Sequence, residues 1–378
     1  MAPIRIGFVG LSSRGWASSV LAPPLFRAPL SDLYTLTALS TTSAQSASAA
    51  AEIFSKLTGN TVKAYHGDTS EIAGDPDVDF VAIAVKTPDH RAAVMPAIER
   101  GKDIFLEWPL GNGMQETIDI AEAAKSKGVR TMVGLQSWQS PVVRKIKDWV
   151  SSGKIGRVLS VSWVGSKTQE STVWAPLQTK RDAYVLDPSN GATVLHVALG
   201  HNLSAITYAL GPLSSISATS AQMFNEIKFV DSDGKPTGET TKAVFPDQFA
   251  FSGILKDHGA ILTATWRGGI TSTKESDRNR PTLIWLIDGE DGHIRVESYH
   301  VAGSLVNIFS PEKVYLNGEE VSVGDGQDSA GNIEKNWAEF AKGKEGSYPT
   351  FEDAVVVYKH VDAIETSARE GRRVDLDI

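Results

Sequence analysis

Residues 4–17 read IRIGFVGLSSRGWA: an apolar run from Ile4 to Val9, then Gly10 and Gly15 bracketing Leu11, Ser12, Ser13 and Arg14. A short apolar run closed by glycine is the pattern of a buried strand. Where such a strand turns directly into a helix, unpaired backbone N–H groups and the positive end of the helix dipole gather at one point, and that point holds an anion. The dinucleotide-binding fingerprint G-x-G-x-x-G works in this way, and here its three positions are Gly10, Ser12 and Gly15. Serine still permits fairly close backbone approach. The plainer reading is a tight turn, and the segments around the loop decide between the two.

Those segments alternate strand and helix. LYTLTALS (33–40), DFVAIAV (79–85), DIFLE (103–107) and TMVGLQ (131–136) read as strands; AQSASAAAEIFSKL (44–57), Arg91–Arg100 and Gln115–Lys127 read as helices, and another is expected from Trp16. Alternation of this kind folds as a doubly wound parallel sheet, which supports a Rossmann domain over about 1–137. From 138 the character changes. Ser140-Pro141 opens a helix, VVRKIKDWVSSGKIG ends it on glycine, RVLSVSWVG (157–165) is a strand, a helix lies near 193–209, and β structure follows to about 323. Turns at DSDGKPTGE, DGEDGHIRVES and YLNGEEV indicate antiparallel pairing. The last helix, FEDAVVVYKHVDAIETSARE, buries Ala354, Val355, Tyr358, Val361 and Ile364. The expected architecture is thus α/β plus α+β: a Rossmann sheet, then a domain over 138–378 built on a large, open, mostly antiparallel sheet.

Composition narrows the function. The chain has 378 residues, 41% hydrophobic and 22% charged, enough for about two domains without stapling. Its formal charge of -8 provides no positive field for a phosphate backbone, so direct nucleic-acid binding is not expected. Zero cysteines exclude a disulfide framework, a thiolate metal site and a cysteine nucleophile. His66, His258, His293, His300 and His360 have no paired spacing, so no metal site is expected, and Asp231-Ser232-Asp233-Gly234 reads as a hairpin turn rather than a calcium loop. No stretch reaches the about 18 apolar residues of a membrane span, and MAPIRIGFVG lacks the parts of a signal peptide; a cytoplasmic location is expected.

The second strand ends Ser40-Thr41-Thr42, with no carboxylate to bond a ribose 2′-hydroxyl or repel a 2′-phosphate. With Arg14 available to pair with that phosphate, the sequence points to NADP over NAD, solvated hydroxyls and a surface arginine being the alternative.

Three further segments carry a family resemblance: Thr87-Pro88-Asp89-His90 after the third of these strands, FLEWPLG (105–111) after the next, and PTFEDA to GRRVDL (349–376). Their order resembles the glucose-fructose oxidoreductase, inositol dehydrogenase and rhizopine-catabolism (Gfo/Idh/MocA) family over essentially the whole chain. Within it, GLSSRGWA, LQSWQSP and NGATVLHVALGH look most like the fungal galactose-regulon repressor branch, whose yeast members bind NAD(P) and regulate transcription. The resemblance implies that Thr87, His90, Glu107 and Gln136 lie near the cofactor. The family's Glu-Lys-Pro motif reads Glu107-Trp108-Pro109 here. Trp108 cannot carry a proton or a charge; it offers a flat wall to the nicotinamide or substrate, or simply fills a domain interface. In the family's Asp-x-x-x-His motif, His201 is kept and Val197 stands in the place of Asp. His201 is the candidate acid/base, against the reading of a packed helical histidine; His196 lies five residues earlier, and Tyr184 and Asp187 precede them in a polar loop.

Two functions remain in competition, and the first leads: an NAD(P)-dependent oxidoreductase acting on a sugar, polyol, carbonyl or imine metabolite, with a small-molecule substrate and a homodimer expected. The second is a non-catalytic NAD(P)-sensing transcriptional regulator with a protein partner and a nuclear location. A redox-neutral use of bound NAD, as in some glycosidases of the family, is a third option. In the enzyme reading NAD(P) lies across the carboxyl ends of the parallel strands, with Glu107, Trp108 and His201 facing the nicotinamide.

Overall fold

The computed structural model describes residues 2–271, 280–300, 304–308, 311, 313–323 and 329–378. They form two compact units, Met1–Gln139 with Ser329–Val355, and Ser140–Asp328 with Val356–Ile378.

In the first unit six parallel strands, β1 (Ile4–Val9), β2 (Tyr34–Thr41), β3 (Lys63–His66), β4 (Phe80–Ile83), β5 (Asp103–Leu106) and β6 (Thr131–Val133), lie in the order β3-β2-β1-β4-β5-β6. This is the doubly wound order of a Rossmann fold, with the reversal beside β1. All four residues of β4 are buried, as expected of a central strand covered on both faces. The helices are α1 (Ala44–Thr58), α2 (Ser70–Gly74), α3 (His90–Glu99) and α4 (Met114–Lys127). Ser43 caps α1 by accepting the Ser46 N–H at 3.2 Å, and left-handed Gly59 and Gly128 end α1 and α4. The sequence reading missed β3, whose KAYH is exposed at the sheet edge and has no apolar run.

The segment from Trp16 departs from the expected helix. It is a π-helical turn, Ala17–Leu21, closed by Ala22 N–H to Ala17 O at 2.9 Å, then a 3₁₀ turn over Pro23–Phe26. Pro23 and Pro24 have no N–H to donate, so a regular helix cannot continue through them.

The second unit opens with α5 (Pro141–Ser151), which starts on Pro141. Its large sheet has nine strands: β7 (Val158–Thr168), β9 (Leu213–Ala221), β12 (Gln248–Leu255), β13 (Ile261–Ile270), β14 (Leu283–Gly289), β15 (His293–Ser298), β16 (Lys313–Leu316), β17 (Glu319–Glu320) and β18 (Val374–Asp375). A small sheet joins β8 (Leu177–Thr179), β10 (Glu226–Val230) and β11 (Pro236–Lys242). The large sheet is antiparallel except where β13 pairs with β7. All three expected turns close antiparallel pairs: β10 with β11, β14 with β15 and β16 with β17. In the first, Asp231 Oδ1 accepts the N–H groups of Asp233 and Lys235, both at 2.9 Å. The helix expected near 193–209 is a π-helical turn, Leu195–Leu199, running into α6 (Gly200–Leu210).

Two helices close the chain, α7 (Ser329–Ala341) and α8 (Phe351–Glu370). The reading of 138–378 as one continuous domain does not match the compact units, because α7 and the start of α8 return to the first. The cause is aromatic packing. Trp337 is fully buried, its ring centroid 4.9 Å from Phe105 and 5.9 Å from Phe80; its indole donates to Leu21 O at 3.1 Å, and Tyr34 Oη donates to its carbonyl at 2.7 Å. Phe340 adds a contact with Phe80 at 4.8 Å.

Candidate functional site

The carboxyl ends of the parallel strands collect the first unit's candidate residues on one edge. Gly10 follows β1 with φ +87°, and a Cβ there would sit 2.4 Å from Ala84 O, so the chain can cross β4 only as glycine. Its N–H bonds Ser40 O at 2.8 Å, which ties the loop to β2. Ser12 N–H folds back to Gly10 O at 3.1 Å and Ser12 Oγ to Arg14 O at 2.5 Å. The N–H groups of Leu11, Ser13, Arg14 and Gly15 have no acceptor among the described residues, and the space over Gly15 is open to 4 Å. Four unspent donors around an open glycine fit a diphosphate. The dipole contribution is smaller than expected, because a five-residue π turn stands where a long helix was foreseen.

At the end of β2 the three hydroxyl residues separate. Ser40 is buried with its Oγ unpartnered, Thr41 Oγ1 donates to Ser43 O at 3.2 Å, and Thr42 is exposed. Only Thr42, with the exposed Arg14, is therefore open to a 2′-phosphate.

His90 sits apart from this open edge. Buried, it lies between two carbonyls, Nδ1 2.8 Å from Pro109 O and Nε2 3.2 Å from Val85 O, and as a neutral ring it donates to one of them. Burial pushes its pKa down. Thr87, in the 3₁₀ turn before it, and Gln136, after β6, are also buried.

Glu107 is strongly perturbed. Its carboxylate takes the Trp16 indole N–H on Oε1 at 3.0 Å and the Trp108 N–H on Oε2 at 3.2 Å, and lies against Gly134, where a Cβ would come within van der Waals overlap. Burial nonetheless pushes its pKa up to about 7. Trp16, 91 residues distant, escaped the sequence reading because no spacing rule links it to Glu107. Trp108 is 5% exposed, and its peptide bond to Pro109 is cis.

In the second unit His201 lies at the start of α6, 9% exposed, with Nδ1 buried and unpartnered. Burial alone drives its pKa down to about 4, so the imidazole is neutral at pH 7 and, in this environment, a weak base. His196, on the π turn, is held instead: Nδ1 is 2.7 Å from Thr193 Oγ1, Nε2 is 3.9 Å from Glu365, and the ring packs 5.9 Å from Tyr358. Burial lowers its pKa to about 4, opposed by the charge of Asp362. Half-buried Tyr184 lies in a 3₁₀ stretch, Lys180–Leu186, its carbonyl taking the Asn190 side chain at 2.7 Å. Asp187 Oδ1 accepts from Ser189 N–H and Oγ, which makes it a turn cap. Sequence reading also passed over Lys167, although the alternation Val161, Trp163, Gly165, Lys167 along β7 puts a lysine on an otherwise apolar row.

A reversed-order parallel sheet with a free N–H cradle at its switch point is the architecture of a dinucleotide-binding protein. The chain belongs to the Gfo/Idh/MocA oxidoreductase family: residues 4–135 match the model described as oxidoreductase family, NAD-binding Rossmann fold, and residues 141–298 match that of the Gal80p C-terminal domain. It is 30% identical over 375 residues to Dehydrogenase aclE of Aspergillus oryzae, covering 98% of this chain and 97% of that one. Identity to the galactose/lactose metabolism regulatory protein GAL80 of Saccharomyces cerevisiae is 26% over 351 residues, 88% of this chain and 77% of the relative. Among solved structures, a super-repressor mutant of Gal80p from the same yeast superposes with TM-score 0.86 at 22% identity, covering 99% and 98% of the two chains. Levoglucosan dehydrogenase in complex with NADH and L-sorbose gives TM-score 0.76 at 21% identity over both full chains. No described helix is long and apolar enough to cross a membrane.

Proposed function

We propose that the protein is an NAD(P)-dependent oxidoreductase that moves a hydride between nicotinamide and a small polar or cyclic substrate, a sugar, polyol, carbonyl or imine. The observation that carries this reading is His201: a buried imidazole at the family's acid/base position, neutral at pH 7, with Nδ1 unspent. When bound, the nicotinamide supplies the hydride chemistry. The chain's own residues then have defined tasks. Gly10 to Gly15 hold the diphosphate, Thr42 and Arg14 favour NADP over NAD, Trp108 walls the ring, and His201 takes the proton of a substrate hydroxyl. Tyr184 and His196 shape the polar side of the substrate unit. The working form is a cytoplasmic homodimer, which light scattering on an eluting column peak checks.

One observation favours a second reading, an NAD(P)-sensing regulator with a protein partner: Trp108 replaces the family's lysine and cannot carry a proton. Calorimetric titration with NAD, NADH, NADP and NADPH, followed by a substrate screen at the reduced-nicotinamide absorbance, separates the two. Binding with turnover, lost in His201→Ala, supports the enzyme. Binding without turnover across the screen supports the regulator, and no binding overturns both.

A further inference from the structure

Lys167 is a buried cationic group of the second unit that the roles above leave unused. It lies on β7, 3% exposed, and its Nζ has no hydrogen-bond partner among the described residues. Water-free burial of an unpaired amine is unfavourable in either protonation state, since both retain N–H donors with nothing to accept them. Alternation along β7 puts Lys167 on the same face as Trp163 and Gly165. That face meets α6: Trp163 lines one small internal cavity with Leu199, Asn202 and Trp266, and a Cβ on Gly165 would meet Ser304 Oγ at 2.8 Å, the hydroxyl that donates to Asn202. Lys167 is one row further on, near the strand's end at Thr168. Its register partner on β13 is Gly268, which has no side chain to crowd it.

The indole N–H of Trp266, opposite Gly165, is likewise buried and unpartnered, as is that of Trp285, opposite Trp163. Three donors on one sheet face thus lack acceptors, on the face that packs against the helix carrying His201. Glu170 already places a negative charge near Lys167, which discourages a second anion. Against that background burial still brings the Lys167 pKa down to about 7.

We propose that Lys167 is a ligand-binding residue of the second unit, taking a hydroxyl or carbonyl oxygen of a neutral polyhydroxylated ligand through a rotamer change at the end of β7. This rests on the oxidoreductase reading above for its ligand class.

Lys167→Met keeps the apolar stem and removes the amine. Melting temperatures of wild type and variant, each saturated with NADH, are measured alone and with xylitol, myo-inositol, D-glucose and D-gluconate, while parallel samples holding NAD or NADP as hydride acceptor report turnover by the gain in reduced-nicotinamide absorbance. The variant is expected to melt above the wild type, and at least one neutral panel member to raise the wild-type melting temperature by several degrees without moving the variant's. A variant that melts below the wild type assigns the amine a structural role and overturns the proposal. So do equal shifts in both proteins, a shift with D-gluconate alone, or no shift with any panel member. Failure of the oxidoreductase reading looks different: a neutral ligand shifts only the wild type, and no absorbance change follows.

Discussion

Replacing Glu107 by glutamine tests the electrostatics of the cofactor edge through stability. The carboxyl has its ordinary value at 4.5 and is pushed up to about 7 in the folded chain by burial, so the folded state keeps a proton that the unfolded state has already lost. Stability therefore falls as pH rises from about 4.5 to 7 and stays low above that. At 1.36 kcal/mol per pH unit, the accumulated penalty is about 3 kcal/mol. Glutamine carries no such penalty. It still accepts the Trp16 indole N–H, but turns an amide N–H₂ towards the Trp108 N–H, which costs about 1–3 kcal/mol at all pH values. Glu107→Gln is thus expected to be less stable than wild type at pH 5 and equal to it or more stable at pH 8. Whatever the hydrogen bond costs, the difference between the two proteins should change by about 2.5 kcal/mol between pH 5 and 8. Urea denaturation of both at pH 5, 6, 7 and 8 measures it. A difference that stays constant with pH would refute the claim that this carboxyl is held protonated.

Three other substitutions probe separate parts of the structure. Trp337→Ala removes a fully buried indole and is expected to cost about 3–5 kcal/mol, read as a lowered urea midpoint; a loss below about 1 kcal/mol would mean that α7 does not complete the first core. Gly10→Ala forces a Cβ to 2.4 Å from Ala84 O at φ +87°, so NADH affinity should fall at least about tenfold by calorimetry, and unchanged affinity would sink the glycine-loop assignment. Arg14→Ala should weaken NADPH about tenfold through the loss of one charge-assisted bond while leaving NADH within about twofold; equal effects on both cofactors would remove the NADP preference.

The first sheet was legible because its central strands are continuous apolar runs and its helices have caps that can be read in sequence, such as Ser43 and Gly128. The edge strand KAYH was not, since an exposed edge needs no apolar pattern. Two-residue turns such as Asn317-Gly318 were readable for the same reason as the caps, because positive φ restricts residue type. Contacts between distant segments left no such trace. Trp16 with Glu107 and Trp337 with Phe105 are set by packing, which no local spacing records. Candidate residues after strand ends lie along the carboxyl edge of the first sheet, but their orientation left no trace in the sequence: Ser40 turns inward, and His90 sits buried between two carbonyls.

The return of α7 to the first unit has a consequence for biogenesis. A ribosome delivers residues 1–139 long before Trp337 and Phe340, so the hollow between Tyr34, Phe80 and Phe105 stays unfilled while 140–328 is made. The cofactor unit is the first to be started, yet its core closes only when 329–355 arrives, and the second unit is in turn completed by 356–378. Expression of 1–139 alone would leave that aromatic hollow facing solvent, a surface suited to chaperones rather than to NAD.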